Sequence, residues 1–285
     1  MMLYQLLYPL HTTYSGFNVF RYITFRTLLA GLTALVISFW LGPIVIQKLS
    51  SLKVGQQIRE DGPQRHLAKA GTPTMGGALI LLSLLLSTIL WCDLRNPFVW
   101  ATCAVTAGYG VIGYLDDYLK IKLKNSKGLP GRYKLVGQFL VGIAVIAYVF
   151  TNKEHAPSDW WDIRFRLGLP FVAFAKPPVP LPPVVYIAFA ALVVVAMSNA
   201  VNLTDGLDGL AIGPVIFNAG TYLIWAYLAG ATFGVTATQR FIVAKYLDIP
   251  PIASAGELSI YCGAMVGAGI GFLWYNTYPA QVFMG

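Results

Sequence analysis

Phe98–Lys120 reads FVWATCAVTAGYGVIGYLDDYLK, an apolar run that ends in two adjacent carboxylates, Asp116 and Asp117. The run is about as long as a helix that crosses a bilayer, which needs roughly 20 apolar residues. The two aspartates then sit at the C-terminal mouth of the span. There the free carbonyls already carry negative potential, and each added carboxylate costs about 0.3–1 kcal/mol. Two anions at that helix end call for a cation. Lys120, Lys122 and Lys124 follow at once and can supply it. So can a hard divalent ion such as Mg²⁺, which is commonly held by one or two carboxylates together with phosphate oxygens. On this stretch alone, a helix end neutralised by basic neighbours and a metal site are both open.

The rest of the chain repeats the apolar pattern. Hydrophobic residues make up 56% of the 285 and charged residues 11%, and mean hydropathy is +0.63. A soluble domain carries about 25% charged residues, so this is the composition of an integral membrane protein. Seven apolar runs, at 27–46, 74–92, 98–115, 135–151, 184–201, 210–229 and 258–275, predict seven spans of one membrane domain, 1–285, since no polar stretch is long enough to fold alone. Residues 1–16 read as an aromatic-rich interfacial helix, and no cleavable signal precedes the first span. Lys plus Arg numbers 2 before the first span, then 5, 1, 6, 4, 0 and 2 in the successive connections. The 5 and the 6 place the first and third connections in the cytoplasm and the N-terminus outside. The four basic residues of 152–183 run against this trend, but long loops weigh little in the rule. Its KPPVPLPP segment reads as an extended external excursion. The net charge of +8 is then mostly anchoring to anionic lipid at the inner surface and does not point to nucleic acid. Cys92, Cys103 and Cys262 show no pair spacing, and His11, His66 and His155 stand singly, so neither a disulfide framework nor a zinc site is expected. Gly263, Gly267 and Gly271 recur every four residues in the last run, a small-residue face for close helix packing.

With this orientation, four polar, glycine-rich clusters fall on the cytoplasmic side: GTPTMGG (Gly71–Gly77), the Asp116-Asp117 pair, VNLTDGLDGL (Val201–Leu210) and NTYPAQVFMG (Asn276–Gly285). The loop charges were counted without reference to these motifs, so their convergence points independently to a single site. VNLTDGLDGL carries none of the basic anchors usual between spans and sets Asn202, Asp205 and Asp208 three residues apart. Asp208 is placed to cap the next helix. Asp205 and Asn202 have no such explanation and are costly beside hydrocarbon without a partner. In GTPTMGG, Thr72-Pro73 suits an N-cap and first turn, Gly76 and Gly77 suit tight packing, and the helix start itself suits an anion. No Walker lysine follows it. Carboxylates suited to Mg²⁺, lysines, helix N-termini and apolar walls together suit phosphoryl transfer, in which positioning and charge stabilisation do most of the catalysis. A natural acceptor at such a face is a lipid phosphate.

Taken together these residues resemble the phospho-N-acetylmuramoyl-pentapeptide transferases of bacterial membranes. The likeness runs from YSGFNVF (Tyr14–Phe20) and TFR (Thr24–Arg26) through GTPTMGG, GYGVIGYLDDY and NAVNLTDGLDGLA to FLWYNTYPAQVFMG, and is weakest in 152–183 and 230–257. A wider superfamily that transfers other sugar phosphates shares the DD and DGLDG patterns, whereas GTPTMGG and NTYPAQVFMG point to the muramoyl branch. The resemblance implies an all-α, polytopic membrane helix bundle with ten spans in the family against about seven here. It also implies a bacterial inner-membrane location with a periplasmic N-terminus and a cytoplasmic site. The implied reaction converts UDP-N-acetylmuramoyl-pentapeptide and undecaprenyl phosphate, with Mg²⁺, to lipid I and UMP. Matched residue by residue, Asp116 and Asp117 correspond to the catalytic pair, with Asp117 also the metal ligand, and Lys120 and Lys134 to cytoplasmic lysines. Lys69, Thr72, Asn202, Asp205, Gly206, Leu207 and Asp208 correspond to substrate- and inhibitor-contacting positions. Phe283 corresponds to an aromatic that stacks on uracil, and Asn276 to a polar neighbour. The implied partners are the two substrates and membrane lipid, with no nucleic acid; the oligomeric state is left open by the sequence, a homodimer being one assembly it allows.

Adjacent helical residues point about 100° apart, so Asp116 and Asp117 are expected to do different jobs rather than to chelate one ion symmetrically. Family members continue beyond the position of Gly285 with a Mg²⁺-binding aspartate, three more spans and a histidine-rich loop, so the 285-residue polypeptide alone is expected to be inactive. Three rival readings make different demands. A proton-coupled carrier needs relay carboxylates along a path across the membrane, not at one face. A sister transferase differs in its sugar donor. A non-catalytic fragment binds lipid or a partner without turnover.

Overall fold

The computed structural model describes residues 3–51, 72–123, 128–153, 158–169, 179–233 and 241–285. In chain order the helices are α1 (Leu3–Leu7), α2 (Ile23–Ser51), α3 (Gly77–Trp91), α4 (Pro97–Leu123), α5 (Gly131–Thr151), α6 (Ser158–Trp161), α7 (Pro183–Thr204), α8 (Ile212–Gly230), α9 (Val243–Tyr246) and α10 (Leu258–Asn276). Beside the helices run two short antiparallel ribbons: β1 (Arg166–Leu167) with β2 (Val179–Pro180), and β3 (Thr232–Phe233) with β4 (Phe241–Ile242). All seven apolar runs are helical, and six of the helices are long and apolar enough to cross a membrane.

The seventh, α3, is shorter than its sequence predicts. Its 15 residues span about 22 Å at 1.5 Å per residue, less than the roughly 30 Å hydrocarbon core. It starts at Gly77 rather than near 74, and Thr72-Pro73 is not its cap, because residues 73–77 pair with the chain end. The Pro73 carbonyl accepts the Phe283 amide at 2.9 Å, and Met75 takes a positive φ of 76° just before the helix. Two further expectations are corrected. Residues 1–16 do not form one helix: α1 gives way to 3-10 turns at Tyr8–Thr12 and Ser15–Arg21, where Pro9 cannot extend an α-helical ladder. Asp116 and Asp117 do not open a loop but lie inside α4, which continues to Leu123. Lys120 neutralises both from the next turn, which removes the reason for the helix to stop there.

Helix α10 is the centre of the packing, and 12 of its 19 residues are buried. It lies against α2, α3 and α8. The glycine stripe makes this possible: Gly267 meets the Gly31 carbonyl with no room for a Cβ, Gly271 faces Ser38, and Gly263 faces Thr27. Without a water-driven hydrophobic effect between spans, such close backbone approach and interhelical hydrogen bonds hold the helices together. Ser38 donates to Ser83 at 2.9 Å, joining α2 to α3. At the end of the bundle away from the polar motifs, Arg26, 2% exposed, makes a two-pronged pair with Glu257 at 2.6 and 2.9 Å and also donates to the Trp91 carbonyl. That pair ties the starts of α2 and α10 to the end of α3. A second group of helices forms a row, with α5 packed between α4 and α7. The described part of 152–183 holds Trp160 against Phe98 and Phe150, and Phe150 against Phe165 and Tyr186.

Candidate functional site

The chain direction of each helix brings one set of ends together: the C-terminal turns of α4, α7 and α10 and the first turns of α3, α5 and α8. On α4, the Lys120 ammonium lies 2.8 Å from Asp116 Oδ2 and 3.0 Å from Asp117 Oδ1. One lysine therefore spans two carboxylates that point different ways, which α-helical spacing of three and four residues allows. The aspartates differ in their other contacts. Asp116 Oδ1 accepts the Leu129 amide at 2.8 Å, so this residue anchors the segment that leads into α5. Asp117 is the more buried, at 7% exposure, and its Oδ2 faces Gly285 so closely that position 285 has no room for a side chain. Lys134, in the first turn of α5, lies within electrostatic reach of Asp117.

The link between α7 and α8 supplies the facing wall. Asp205 follows the last residue of α7, and its electrostatic neighbours include Asp208 and Asp117. Burial pushes the Asp205 carboxyl above the ordinary carboxylate range, and the charges of Asp208 and then Asp117 push it the same way. Asp205 takes part in no salt bridge among the described residues. Asn202, Gly206 and Leu207 are exposed at this wall. Asp208 does not cap α8, whose N-cap position is Ala211. Its Oδ2 instead accepts the Ala280 amide at 3.3 Å, so its reach is toward the chain end. Gly209 has a φ of +75°, a left-handed conformation that glycine adopts without steric cost.

The segment after α10 is a strap across these ends. Gly76 donates to the Phe283 carbonyl and Gly77 to the Met284 carbonyl, both at 2.8 Å. Those amides are thereby used by the strap, so the start of α3 is not a free anion site. Asn276, 2% exposed, holds the strap from inside: its Oδ1 accepts the Gly209 amide at 3.0 Å, and its Nδ2 donates to the Val282 carbonyl at 2.9 Å. The Phe283 residue is half-buried on the strap, Thr72 is half-buried next to Pro73, whose carbonyl accepts the Phe283 amide, and Lys69 lies outside the described residues.

Of the residues singled out from sequence, Asp116, Asp117, Lys120, Lys134, Asp205, Asp208, Asn276 and Phe283 are brought to one end of the bundle. Sequence reasoning missed the Leu129 amide on Asp116 and the pairing of Gly76 and Gly77 with the strap. The glycines were a signal, because a Cβ at Gly76 would lie 2.8 Å from the Phe283 carbonyl oxygen.

Among the described residues no three His, Cys, Asp or Glu side chains form a metal cage. Mg²⁺ seldom uses one; it is usually held by one or two carboxylates plus substrate phosphates and water. Asp117, with Lys120 on one carboxylate oxygen, and a half-buried Asp205 with other carboxylates as electrostatic neighbours fit that ion and no thiophilic metal.

A family model, "Glycosyl transferase family 4", matches residues 99–285, and "Phospho-N-acetylmuramoyl-pentapeptide-transferase signature 1" matches residues 69–81. Over the whole chain the protein is 66% identical to the phospho-N-acetylmuramoyl-pentapeptide-transferase of Sorangium cellulosum, covering 75% of that protein. It is 51% identical to the transferase of that name from Syntrophus aciditrophicus and 53% identical to that from Desulfatibacillum aliphaticivorans, each with 74% of the relative covered. A polytopic helical chain with these matched segments, its aspartate pair and its DGLDG turn at one end of the bundle, belongs to the phospho-N-acetylmuramoyl-pentapeptide-transferase family.

Proposed function

We propose that the protein transfers phospho-N-acetylmuramoyl-pentapeptide from its UDP-linked donor to undecaprenyl phosphate, giving lipid I and UMP, at the cytoplasmic face of a bacterial inner membrane. The observation that carries this reading is that Asp117 on α4, paired with Lys120, lies within electrostatic reach of Lys134 on α5 and of Asp205 after α7, which has Asp208 as a further neighbour. A phosphate oxygen of the lipid attacks the donor phosphorus that bears the sugar. The bond from that phosphorus to the UMP oxygen breaks, and UMP leaves with the electron pair. Lys120 and Lys134 offset the charge of the incoming phosphates, the usual task of cations in phosphoryl transfer. Asp116 holds Lys120 and the Leu129 amide in place and orients the lipid phosphate through that lysine. Asp117 is assigned to Mg²⁺, with the Asp205 charge beside it; when bound, the ion neutralises the diphosphate. Asn202, Gly206, Leu207 and Phe283 are assigned to the nucleoside end of the donor, with Lys69 and Thr72 on the connection before α3. Asn276 supports them from beneath. A homodimer belongs to the same reading.

The test measures binding of UDP-N-acetylmuramoyl-pentapeptide to the purified protein in nanodiscs, together with UMP release in membranes expressing the gene. Binding is expected to strengthen with Mg²⁺ and to lose that response in Asp117→Ala; the 285 residues alone are expected to release no UMP, and release, where it occurs, is expected to require undecaprenyl phosphate. Donor binding indifferent to both Mg²⁺ and Asp117→Ala overturns the reading. Equal competition by UDP-N-acetylglucosamine would move it to a sister transferase.

A further inference from the structure

Gln138 lies in the apolar run of α5, one helical turn beyond Lys134, and is 3% exposed. A buried amide among spanning helices is costly unless every polar atom finds a partner. Here the partners come from both neighbouring helices. The Gln138 backbone carbonyl accepts the Tyr109 hydroxyl of α4 at 3.0 Å. Its side-chain Oε1 accepts Asn199 Nδ2 of α7 at 2.8 Å, and its Nε2 reaches Ser198 Oγ at 3.5 Å. Asn199 Nδ2 also donates to the Val195 carbonyl at 2.8 Å, which fixes its rotamer.

Each partner stands a short, fixed distance from the site. Tyr109 precedes Asp117 by eight residues on α4, about 12 Å along the axis. Asn199 precedes Asp205 by six residues, and Gln138 follows Lys134 by four. One turn further along α5, Gly142 continues the contact, with the Tyr109 hydroxyl and the Ala191 side chain at ordinary van der Waals distance from where a Cβ would stand. Since α5 lies between α4 and α7, the separation of Asp117 from Asp205 is set through α5.

We propose that Gln138 is a positioning residue: it pins α4, α5 and α7 in one register and thereby holds Lys134 and Asp205 across from Asp117. This rests on the assignment of those three residues to the transfer site. An apolar side chain of similar size keeps the packing and the Tyr109 bond to the backbone carbonyl but removes the side-chain bonds to Asn199 and Ser198, leaving α7 free to slide against the α4–α5 pair. Misplacement of about 1 Å can cost on the order of 100-fold in rate, so Gln138→Leu is expected to lower kcat roughly ten- to 100-fold with little change in the KM for donor.

The experiment has two arms. With the three native cysteines replaced by alanine, spin labels at exposed Leu123 and Leu203 report the distance between the ends of α4 and α7 in nanodiscs. The parent protein is expected to give one narrow distribution and Gln138→Leu a broad or shifted one. The exchanged pair Gln138→Asn with Asn199→Gln, which restores an amide facing an amide, is expected to return it toward the parent. An unchanged distribution in Gln138→Leu overturns the proposal. In the second arm, kcat and melting temperature are compared in membranes and in detergent. Loss of activity only in proportion to loss of folded protein also overturns it, as a purely structural residue would behave that way. If donor binding is indifferent to both Mg²⁺ and Asp117→Ala while the distances respond as expected, the pin stands and the proposed function fails.

Discussion

Asp205 is a carboxylate whose named electrostatic neighbours, Asp208 and Asp117, carry the same charge. Its raised pKa means that the folded chain keeps this proton to higher pH than the unfolded chain, whose aspartates titrate near 3.9, an approximate reference value. The stability this group contributes is therefore fully present below that value and is lost as pH rises through the raised one. Asp205→Asn removes the titration. Its melting temperature in detergent is expected to exceed that of the parent at about pH 7.5, and the difference to close on acidification toward about pH 4. Mg²⁺ is expected to raise the melting temperature of the parent more than that of the variant; equal rises would show that the ion does not answer the Asp205 charge. The aspartate pair separates in the same way. Asp116→Ala removes the acceptor of the Leu129 amide and is expected to cost about 1.5–3 kcal/mol of stability, the range for hydrogen bonds to charged groups. Asp117→Ala leaves Lys120 paired with Asp116 and is expected to abolish the Mg²⁺ response with a smaller stability change. Thermal melts with and without Mg²⁺ distinguish the two.

The strap after α10 stands or falls as an element. It has no helical or alternating periodicity, and its hold on the site is made by backbone groups of Pro73, Gly76, Gly77, Phe283 and Met284 and by the side chains of Asn276 and Asp208. This is why it was only half legible in the sequence. NTYPAQVFMG was recognisable as a polar, glycine-ended cluster, but nothing in its letters says which backbone it pairs with. The same limit explains α4. Two carboxylates read locally as a helix end, whereas Lys120 one turn later reverses that reading only when the helix is already assumed. Gln138 was visible as a polar letter in an apolar run, yet its partners come from helices 29 and 61 positions away in sequence. Asn276→Leu is expected to strand the Gly209 amide and the Val282 carbonyl in a buried setting, each costing about 1–3 kcal/mol. Gly76→Ala would press a methyl group onto Phe272, Val282 and the Phe283 carbonyl, with a cost of about 1–3 kcal/mol for overpacking. Both variants are expected to fold with a lowered melting temperature and to expose the strap to proteolysis after Phe283. A strap as protected as in the parent would mean that other contacts hold it.

At the scale of the whole molecule, the apolar runs and the alternation of basic loops were enough to place every long helix and to put four motifs on one side. Chain length in the membrane and the cost of moving lysine and arginine through hydrocarbon both act directly on sequence. What they do not determine is orientation within the packed bundle, because the glycine faces of α10 and α2 meet through backbone contacts at Gly31 and Gly267. Sidedness is the property on which the proposed site depends most. Tyr118 and Leu207 are both exposed, at 44% and 58%, and flank the two acidic motifs, while exposed Tyr14 lies near the start of α2, beside the Arg26 end of the bundle. In a background without the native cysteines, Tyr118→Cys and Leu207→Cys are expected to react with a membrane-impermeant maleimide in inside-out vesicles and to be protected in intact spheroplasts. Tyr14→Cys is expected to show the reverse. Labelling of positions 118 and 207 from opposite faces would separate Asp117 from Asp205 by the thickness of the bilayer, and no shared phosphate could then touch both. Labelling of both from the outer face would keep the pocket but turn it away from the nucleotide pool, so the acceptor and donor assigned to it would have to be given up together.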